Sequence, residues 1–312
     1  MPPVHNVAIV GAGGRIGGQI VEALVKQGKH KVTAITRPDS TSSMPAGLHD
    51  IKKADYSDHD SLVKALSGQD FLIITMGIMA AKDSQQKLVD AAKEAGIKYI
   101  MPNEWGMDVA QNEQLGNDTM LGPGHLAMRE YIEKAGLTWI SMACGFWYEF
   151  SLSGAEMRYG FDFKEKKVTL FNDGNIKLYT STWPQVGRAV AKLLAREDLE
   201  SFKNAAVHVY SFYISQRDML ASVLHVTGDK ESDWTITTED VQERFERGMK
   251  ILQGGNWHGF AIALYSRCFF PDVVPSQEGR FDNEKLGLPQ EDLDQYTKIA
   301  VGYAGKEAAA WI

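Results

Sequence analysis

Short apolar runs alternate with segments of helical spacing through the first 145 residues of the chain. The run Val7–Val10 is apolar at every position, which is typical of a strand covered on both faces of a sheet. Ile16, Ile20 and Leu24 then recur at helical spacing, and Gly28 is suited to end that helix. Strands separated by helices at this pitch predict βαβ units and a parallel sheet. Further strands are predicted at 32–36, 71–74, 99–101 and 138–142, and further helices at 62–66, 88–95 and 127–134.

The rhythm changes after Gly145. A strand that runs into a turn is predicted at Thr169–Asn175, a helix at Val186–Ala195 and a strand around Ala206–Val209. The remainder indicates mixed helix and loop, with its clearest helix at Thr238–Leu252. The sequence contains no repeat, low-complexity tract or Gly/Ser-rich linker, so the change of rhythm itself marks the boundary between two parts.

Aromatic residues are unevenly divided between these parts. Of 13 Phe, 11 Tyr and 7 Trp residues, all but five lie at or after Trp139. We therefore expect two halves with different functions. The five earlier aromatic residues are Tyr56, Phe71, Tyr99, Trp105 and Tyr131.

Composition and charge exclude several classes of function. A chain of 312 residues, 44% hydrophobic and 23% charged, is long enough for one large α/β domain or two domains that share a cleft. Its formal net charge of −7 argues against non-specific nucleic-acid binding, which needs a basic surface. Two Cys exclude a disulfide framework, and the His residues show no metal-ligand spacing. No apolar run approaches the ~20 residues of a membrane helix, so we expect a cytoplasmic protein without a membrane partner.

A glycine-rich loop, GAGGRIG at 11–17, joins the first predicted strand to the first predicted helix. Gly11 allows a tight turn, Gly14 lets the backbone approach a pyrophosphate, and Gly17 lets the helix pack closely on the sheet. The helix N-terminus offers unpaired N–H groups to the same anion. This arrangement predicts a dinucleotide site. The contacts expected from the loop are Gly11, Gly13, Gly14, Arg15, Ile16 and Gly17.

The end of the second predicted strand indicates which dinucleotide is bound. Thr36 and Arg37 stand there, where an NAD-preferring protein usually carries an acid. The Arg37 guanidinium suits the 2′-phosphate of NADP, and Arg15 adds a second cation. NADP(H) is therefore the predicted cofactor. Other expected contacts are Asp55 and Tyr56 beside the adenine, and Met76 and Gly77 along the central part of the cofactor.

With these residues in place, the chain resembles the NmrA-like and isoflavone-reductase-like group of atypical short-chain dehydrogenases/reductases. The resemblance rests on the loop at 11–17, the Thr36-Arg37 pair and MPNEWG at 101–106, which is similar to the family's Pro-Ser-Glu-Phe-Gly segment. It covers residues 5–200 well and the C-terminal third loosely. The segment CGFWYEF at 144–150 is similar to fungal members found beside secondary-metabolite genes. Other matching positions are Arg129, Ile132, Glu133, Gly136, Gly145, Phe146 and Tyr148.

The resemblance implies an α/β fold, a Rossmann-type doubly wound parallel sheet with a smaller C-terminal α+β substrate domain. The NADP-binding domain is expected over residues 1–150, completed by parts of 180–215, and the substrate-binding domain over 151–312. Asn103, where the family has Ser, and Phe146, after the sixth strand, are expected to contact the cofactor.

The resemblance also implies where proton transfer occurs. In the reductase branch, a Lys four residues before the Arg serves as general acid or base, and here that position is His125, four residues before Arg129. Imidazole titrates near neutrality and can donate a proton to a carbonyl or enone oxygen. The alternative is that His125 only caps or packs the start of its helix. Tyr148 is the second candidate for proton transfer, since the Tyr-x-x-x-Lys pattern of classical short-chain reductases is absent from the sequence.

The expected function is an NADP-dependent oxidoreductase. It would transfer hydride to a carbonyl or conjugated double bond of an aromatic or polyketide-like small molecule, in secondary metabolism. One alternative is a non-catalytic NADP sensor that signals by binding protein partners, and another is a dehydratase or cyclase that retains the cofactor. The protein is expected to be a monomer or homodimer. Two aromatic segments, at 256–260 and 267–270, either wall a substrate pocket or form the core of the smaller domain.

Overall fold

A seven-stranded parallel sheet organises the first part of the molecule. The computed structural model describes residues 4–77, 80–81, 83–273 and 279–305. The strands of this sheet are β1 (Asn6–Val10), β2 (Lys31–Thr36), β3 (Asp50–Lys53), β4 (Phe71–Ile74), β5 (Tyr99–Met101), β6 (Thr138–Ala143) and β11 (Ala205–His208). They lie in the order β11-β6-β5-β4-β1-β2-β3, and neighbouring strands are parallel. The strand order reverses between β1 and β4, and ligands of such sheets bind beyond the carboxyl ends of the strands at that point.

Helices cover both faces of the sheet. Val7 and Ile9 contribute to one core, which includes residues of the first helix and of a later one, whereas Ala8 and Val10 contribute to a second core on the opposite face. This two-sided burial explains why β1 is apolar at successive positions. None of the helices in the described part of the chain is long and apolar enough to cross a bilayer. The helices associated with the sheet are α1 (Arg15–Gln27), α2 (His59–Leu66), α3 (Ser84–Glu94), α4 (Glu113–Asp118), α5 (Gly122–Lys134) and α7 (Trp183–Leu194).

The remaining elements form what we call the small-sheet region. Its strands are β7 (Phe146–Trp147), β8 (Phe161–Asp162), β9 (Lys167–Phe171), β10 (Lys177–Ser181), β12 (Phe212–Ser215) and β13 (Thr235–Glu239), in two sheets of order β12-β10-β7 and β13-β9-β8. Its helices are α6 (Tyr148–Leu152), α8 (Gln216–Thr227), α9 (Val241–Gln253), α10 (His258–Arg267) and α11 (Leu293–Tyr303). Short 3₁₀ turns lie at Val109–Gln111, Leu199–Phe202 and Glu231–Asp233. Aromatic side chains dominate the core of this region.

The predicted fold class, a Rossmann-type α/β sheet, is confirmed. The predicted start of the helix at Thr238–Leu252 is wrong, because α9 begins at Val241 and not at Thr238. Thr238 pairs with Leu170 across β13 and β9. The Asp240 side chain then accepts the N–H groups of Gln242 and Glu243 at 2.9 and 3.0 Å, which caps the helix. The local pattern missed this boundary because the strand depends on pairing with a distant segment.

Candidate cofactor and active site

The glycine loop packs closely on itself and on Thr75, just after β4, and Gly11 and Gly17 are its two tightest positions. Gly11 has φ +83°, and a Cβ atom there would lie 2.1 Å from the Thr75 carbonyl oxygen. A Cβ atom on Gly17 would lie 2.1 Å from the Gly11 carbonyl oxygen. Gly14 is the N-cap of α1 and has no side chain to cap the helix, so the first N–H groups of α1 remain available for an anion.

A cleft of about 570 Å³ opens beyond this loop, at the carboxyl ends of β1, β2 and β4. Its size is within the range of cofactor and small-molecule sites. The structure therefore brings most of the predicted cofactor contacts into one place. Predicted residues that line the cleft are Gly11, Gly13, Gly14, Thr36, Arg37, Met76 and Gly77.

Arg37 lies at the end of this cleft next to the exposed loop after β2. Its side chain is 66% exposed, and its Nε is 3.7 Å from an oxygen of Asp39. The guanidinium is therefore accessible to a phosphate. Tyr56 also lines the cleft, and its burial raises the pKa of the phenol to about 12 even though Arg37 opposes the shift. The hydroxyl thus stays protonated and able to donate a hydrogen bond.

Asp55 and Asn103 do not line the cleft; their side chains form hydrogen bonds to backbone groups of nearby segments. Asp55 accepts hydrogen bonds from the Ser57 hydroxyl at 2.7 Å and the Ser57 N–H at 2.8 Å, which lowers the pKa of its carboxyl. The Asn103 amide accepts from the Met76 N–H and donates to the Met76 carbonyl, both at 3.0 Å. Asn103 therefore fixes the segment just after β4, where Thr75, Met76 and Gly77 line the cleft.

The remaining loop residues support the site from outside the cleft. Ile16 is buried in the core between α1 and the sheet. Arg15 is exposed, and its guanidinium lies 5.4 Å from the centre of the Phe150 ring. Phe150 is thus the residue of the 144–150 segment that reaches the glycine loop.

The structure places Phe146 and Tyr148 away from the cleft, contrary to expectation. The Phe146 ring stacks on Tyr265, with centroids 4.0 Å apart. Tyr148 is fully buried, and its hydroxyl lies 2.6 Å from the Thr297 hydroxyl in the small-sheet core. Burial raises the pKa of the Tyr148 phenol well above its ordinary value. Neither ring lines the cleft, because both side chains point into the other core.

His125 lies in the first turn of α5 and is half-buried. Its Nδ1 is inaccessible to solvent and has no hydrogen-bond partner among the described residues. Burial lowers the pKa of the imidazole to about 4; Arg129 adds to the shift and Asp108 opposes it. The imidazole is therefore uncharged at neutral pH.

One helical turn after His125, a buried network of charged side chains joins α5 to the segment after β5. Arg129 donates to Glu104 at 2.9 and 2.6 Å and to Asp108 at 2.9 Å, and its guanidinium lies over Trp139. Burial raises the pKa of Glu104 to about 7, although Arg129 opposes this shift. The network fixes the segment after β5 against α5, so it positions the backbone around His125.

The NmrA-like family profile matches residues 3–251 of this chain. The chain belongs to the NmrA-like family. An oxidoreductase of Aspergillus flavus, aprR, is 28% identical over 301 residues, covering 93% of this chain and 96% of the relative. The isoflavone reductase of Medicago sativa is 26% identical over 288 residues, covering 85% of this chain and 87% of that enzyme. The structure of AtPrR2 with NADP+ and (+)-pinoresinol has the same fold, with a TM-score of 0.78 and 20% identity, covering 96% of this chain and 100% of that chain.

The predicted family is thus confirmed, and the expectation of an NADP(H)-dependent reductase agrees with these NmrA-like relatives. Sequence reasoning missed several residues that line the cleft. The available signal was adjacency, because the serines follow Arg37 along the exposed loop. The missed lining residues include Ser40, Ser42, Met44 and Thr75.

Proposed function

We propose that this NmrA-like protein is an NADPH-dependent reductase that transfers hydride to a carbonyl or conjugated double bond of an aromatic small molecule. The observation that supports it is the cleft, which combines a glycine cradle, an accessible guanidinium and the ends of β1, β2 and β4. The reductase relatives agree with this assignment. The proposal includes a role in secondary metabolism, because the segment CGFWYEF at 144–150 is similar to fungal members found beside secondary-metabolite genes.

The residues present fit NADP(H). The N–H groups at the start of α1 would hold the pyrophosphate, and Arg37 would pair with the 2′-phosphate. Tyr56 lies in the part of the cleft near Arg37, where the adenine would pack. When bound, NADPH supplies the hydride.

We assign to His125 the role of proton donor to the substrate oxygen. Reduction of a carbonyl or enone places negative charge on that oxygen, which must receive a proton. A neutral imidazole stabilises that charge by donating a hydrogen bond through its N–H. The same negative charge raises the pKa of the imidazole, so the ring can take up a proton from solvent and pass it to the oxygen, which returns the ring to its neutral form.

The test is NADPH oxidation with a panel of quinones, enones and phenolic ketones. The variant His125→Gln replaces the imidazole with an amide that cannot transfer a proton. We expect kcat to fall about 100-fold, as is typical for loss of a general acid. NADPH affinity should be unchanged, since the lining of the cleft does not include His125. His125→Lys, which introduces the residue of the reductase branch, should recover activity. His59→Gln is the matched control, because His59 is exposed and pairs with Glu94 on the surface.

A non-catalytic NADP sensor is the second candidate function. It is favoured by the low pKa of His125, because an uncharged imidazole is a poor acid at neutral pH. Tight NADPH binding without turnover of any compound in the panel would overturn the reductase proposal and favour the sensor. Turnover that is lost in His125→Gln would exclude the sensor.

A further inference from the structure

The loop after β2 carries four hydroxyl residues beside the cofactor cleft. Residues 37–43 have the sequence RPDSTSS, and all of them are exposed except Ser40, which is half-buried. Ser40 and Ser42 line the cleft together with Arg37. The loop therefore presents hydroxyl groups at the end of the cleft to which we assign the 2′-phosphate of NADPH.

A reverse turn brings Ser40 next to Arg37. The Ser40 N–H donates to the Arg37 carbonyl at 3.2 Å, which closes a four-residue turn with Pro38 at its second position. The first and last Cα atoms of such a turn lie within about 7 Å of each other. Because both residues also line the cleft, a group attached to the Ser40 oxygen lies within reach of the Arg37 guanidinium.

Two cationic side chains lie at this turn. Lys53, which pairs with Thr36 across β2 and β3, donates from its Nζ to the Pro38 carbonyl at 3.2 Å. The Arg37 guanidinium lies near Asp39, but this pair is exposed and 3.7 Å long, so it contributes little. A phosphate on a serine carries a charge of about −2 and three acceptor oxygens, and it can accept two parallel hydrogen bonds from a guanidinium. It therefore competes for Arg37 better than Asp39 does.

The sequence around Ser40 also fits enzymatic phosphorylation. Arg37 stands three residues before it, and protein kinases select their substrates by such charge patterns. The other hydroxyl residues of the loop, at 41–43, have no basic residue at that distance. Two of them also pack on the glycine loop, since a Cβ atom on Gly13 would lie 2.7 Å from the Ser43 carbonyl oxygen and 3.1 Å from the Ser42 Cβ. Ser40 is therefore the favoured acceptor.

We propose that Ser40 is a phosphorylation site that controls NADPH binding. A serine/threonine kinase transfers the γ-phosphoryl group of ATP to the Ser40 oxygen. The Oγ–P bond forms, the bond from the γ-phosphorus to the β–γ bridging oxygen breaks, and ADP and the hydroxyl proton are released. The phosphoserine then pairs with Arg37 in place of the 2′-phosphate and repels that phosphate. This inference rests on the proposed role of Arg37 in NADPH binding and applies equally to a reductase and to a sensor.

Cofactor titration tests the effect of the phosphate without turnover. Phosphoserine is incorporated at position 40 of the full-length protein during translation, and NADPH and NADH are titrated by fluorescence. We expect NADPH binding to weaken about 30-fold and NADH binding by less than about threefold, because NADH has no 2′-phosphate. Phosphoserine at position 201 is the matched control. Ser201 is exposed next to β11, at the edge of the sheet opposite β3, so both affinities should be unchanged.

A second measurement tests whether a kinase reaches Ser40. The cofactor-free protein is incubated with ATP and a kinase selective for Arg three residues before its acceptor, and the modified residues are identified by mass spectrometry. We expect labelling of Ser40 and no labelling of the loop in Ser40→Ala. Saturating NADPH should slow the labelling at least about tenfold, because the cofactor and the kinase need the same guanidinium of Arg37.

Either measurement can overturn the inference. Equal losses of NADPH and NADH, or no loss of either, would show that the phosphate on Ser40 does not replace the 2′-phosphate. Labelling of residues 41–43 in place of Ser40, or an unlabelled loop, would show that Ser40 is not the acceptor. A selective loss of NADPH binding in a protein that reduces no compound of the substrate panel supports this inference and counts against the reductase alone.

Discussion

The large parallel sheet and the small-sheet region build their sites in different ways. Around the glycine loop, function depends on the backbone, since Gly11 and Gly17 bring main-chain atoms into positions that no side chain could share. In the small-sheet region and at its junction with the large sheet, the site depends on side chains, through stacked rings and buried ionisable groups such as Glu149. A site that is built from backbone groups is specified by consecutive residues. A site that is built from side chains depends on contacts between residues that are far apart in the sequence.

The largest expected effect is at Gly11. A Cβ atom in Gly11→Ala would meet the Thr75 carbonyl at 2.1 Å and would also be strained by the φ of +83°. Together these should destabilise the protein by about 4 kcal/mol and abolish NADPH binding. The measurement is urea unfolding combined with an NADPH titration.

Gly28→Ala is the matched control for Gly11→Ala. Gly28 has φ +70°, but a Cβ atom there would meet nothing within 4 Å, so only the backbone strain of about 1 kcal/mol applies. Equal losses of stability in the two variants would show that close packing against Thr75 does not hold the loop in place. The site around the loop would then not depend on the backbone.

The next effect concerns a buried carboxyl in α6. Both oxygens of Glu149 lie near the Trp183 N–H, at 3.3 and 3.2 Å, and burial raises the pKa of the group to about 8. The folded state therefore retains a proton that the unfolded chain releases above pH ~4.5. The stability contributed by this proton is complete below that pH and is lost as pH rises through about 8.

We expect Glu149→Gln to remove this pH dependence. Relative to wild type, the variant should gain on the order of 3 kcal/mol between pH 5 and pH 9, because Gln never carries the buried charge. Urea unfolding at several pH values measures the difference. Glu22→Gln, on the exposed face of α1, should follow wild type. Parallel pH profiles for wild type and Glu149→Gln would show that Glu149 ionises normally.

The cofactor preference is expected to depend on Arg37. Charge reversal in Arg37→Asp should weaken NADPH binding about 30-fold, or about 2 kcal/mol, and NADH binding far less, because only NADPH carries the 2′-phosphate. Fluorescence titration with both cofactors checks this. Lys29→Asp, at the far end of α1, reverses an exposed charge away from the cleft and should leave both affinities unchanged. Equal losses of NADPH and NADH in Arg37→Asp would refute the 2′-phosphate assignment.

The difference between the two regions also explains what the sequence could predict. The loop at 11–17 and Arg37 are recognisable because each role is carried by neighbouring residues of one βαβ unit. Phe146 and Tyr148 were misplaced because the faces of β7 and α6 are set by packing against Tyr265 and Thr297, far along the chain. The local sequence pattern cannot show which of the two cores the side chains of such a short segment enter.

The same reasoning applies to groups that meet only in the folded chain. The family resemblance implies a role for His125, which lies four residues before Arg129, but the uncharged state of its imidazole follows from burial next to Arg129. Asp108 and His208 come from the segment after β5 and the end of β11, so no local motif joins them. The sequence can therefore indicate which residue occupies a functional position, but the burial and the neighbours of that residue are known only from the fold.

The smallest expected effect is at Trp257, in one of the two aromatic segments whose role, pocket wall or core, the sequence left open. Trp257 is 68% exposed and its ring meets Phe260 edge-on, so Trp257→Ala should change stability by less than about 0.5 kcal/mol and leave kcat/KM unchanged. Phe269 is 1% exposed and packs edge-on against Phe171 with centroids 5.0 Å apart, so Phe269→Ala should cost about 3–5 kcal/mol. Urea unfolding and steady-state kinetics distinguish the two. A raised KM in Trp257→Ala at unchanged stability would place Trp257 in a substrate pocket and extend the side-chain-built site to the start of α10.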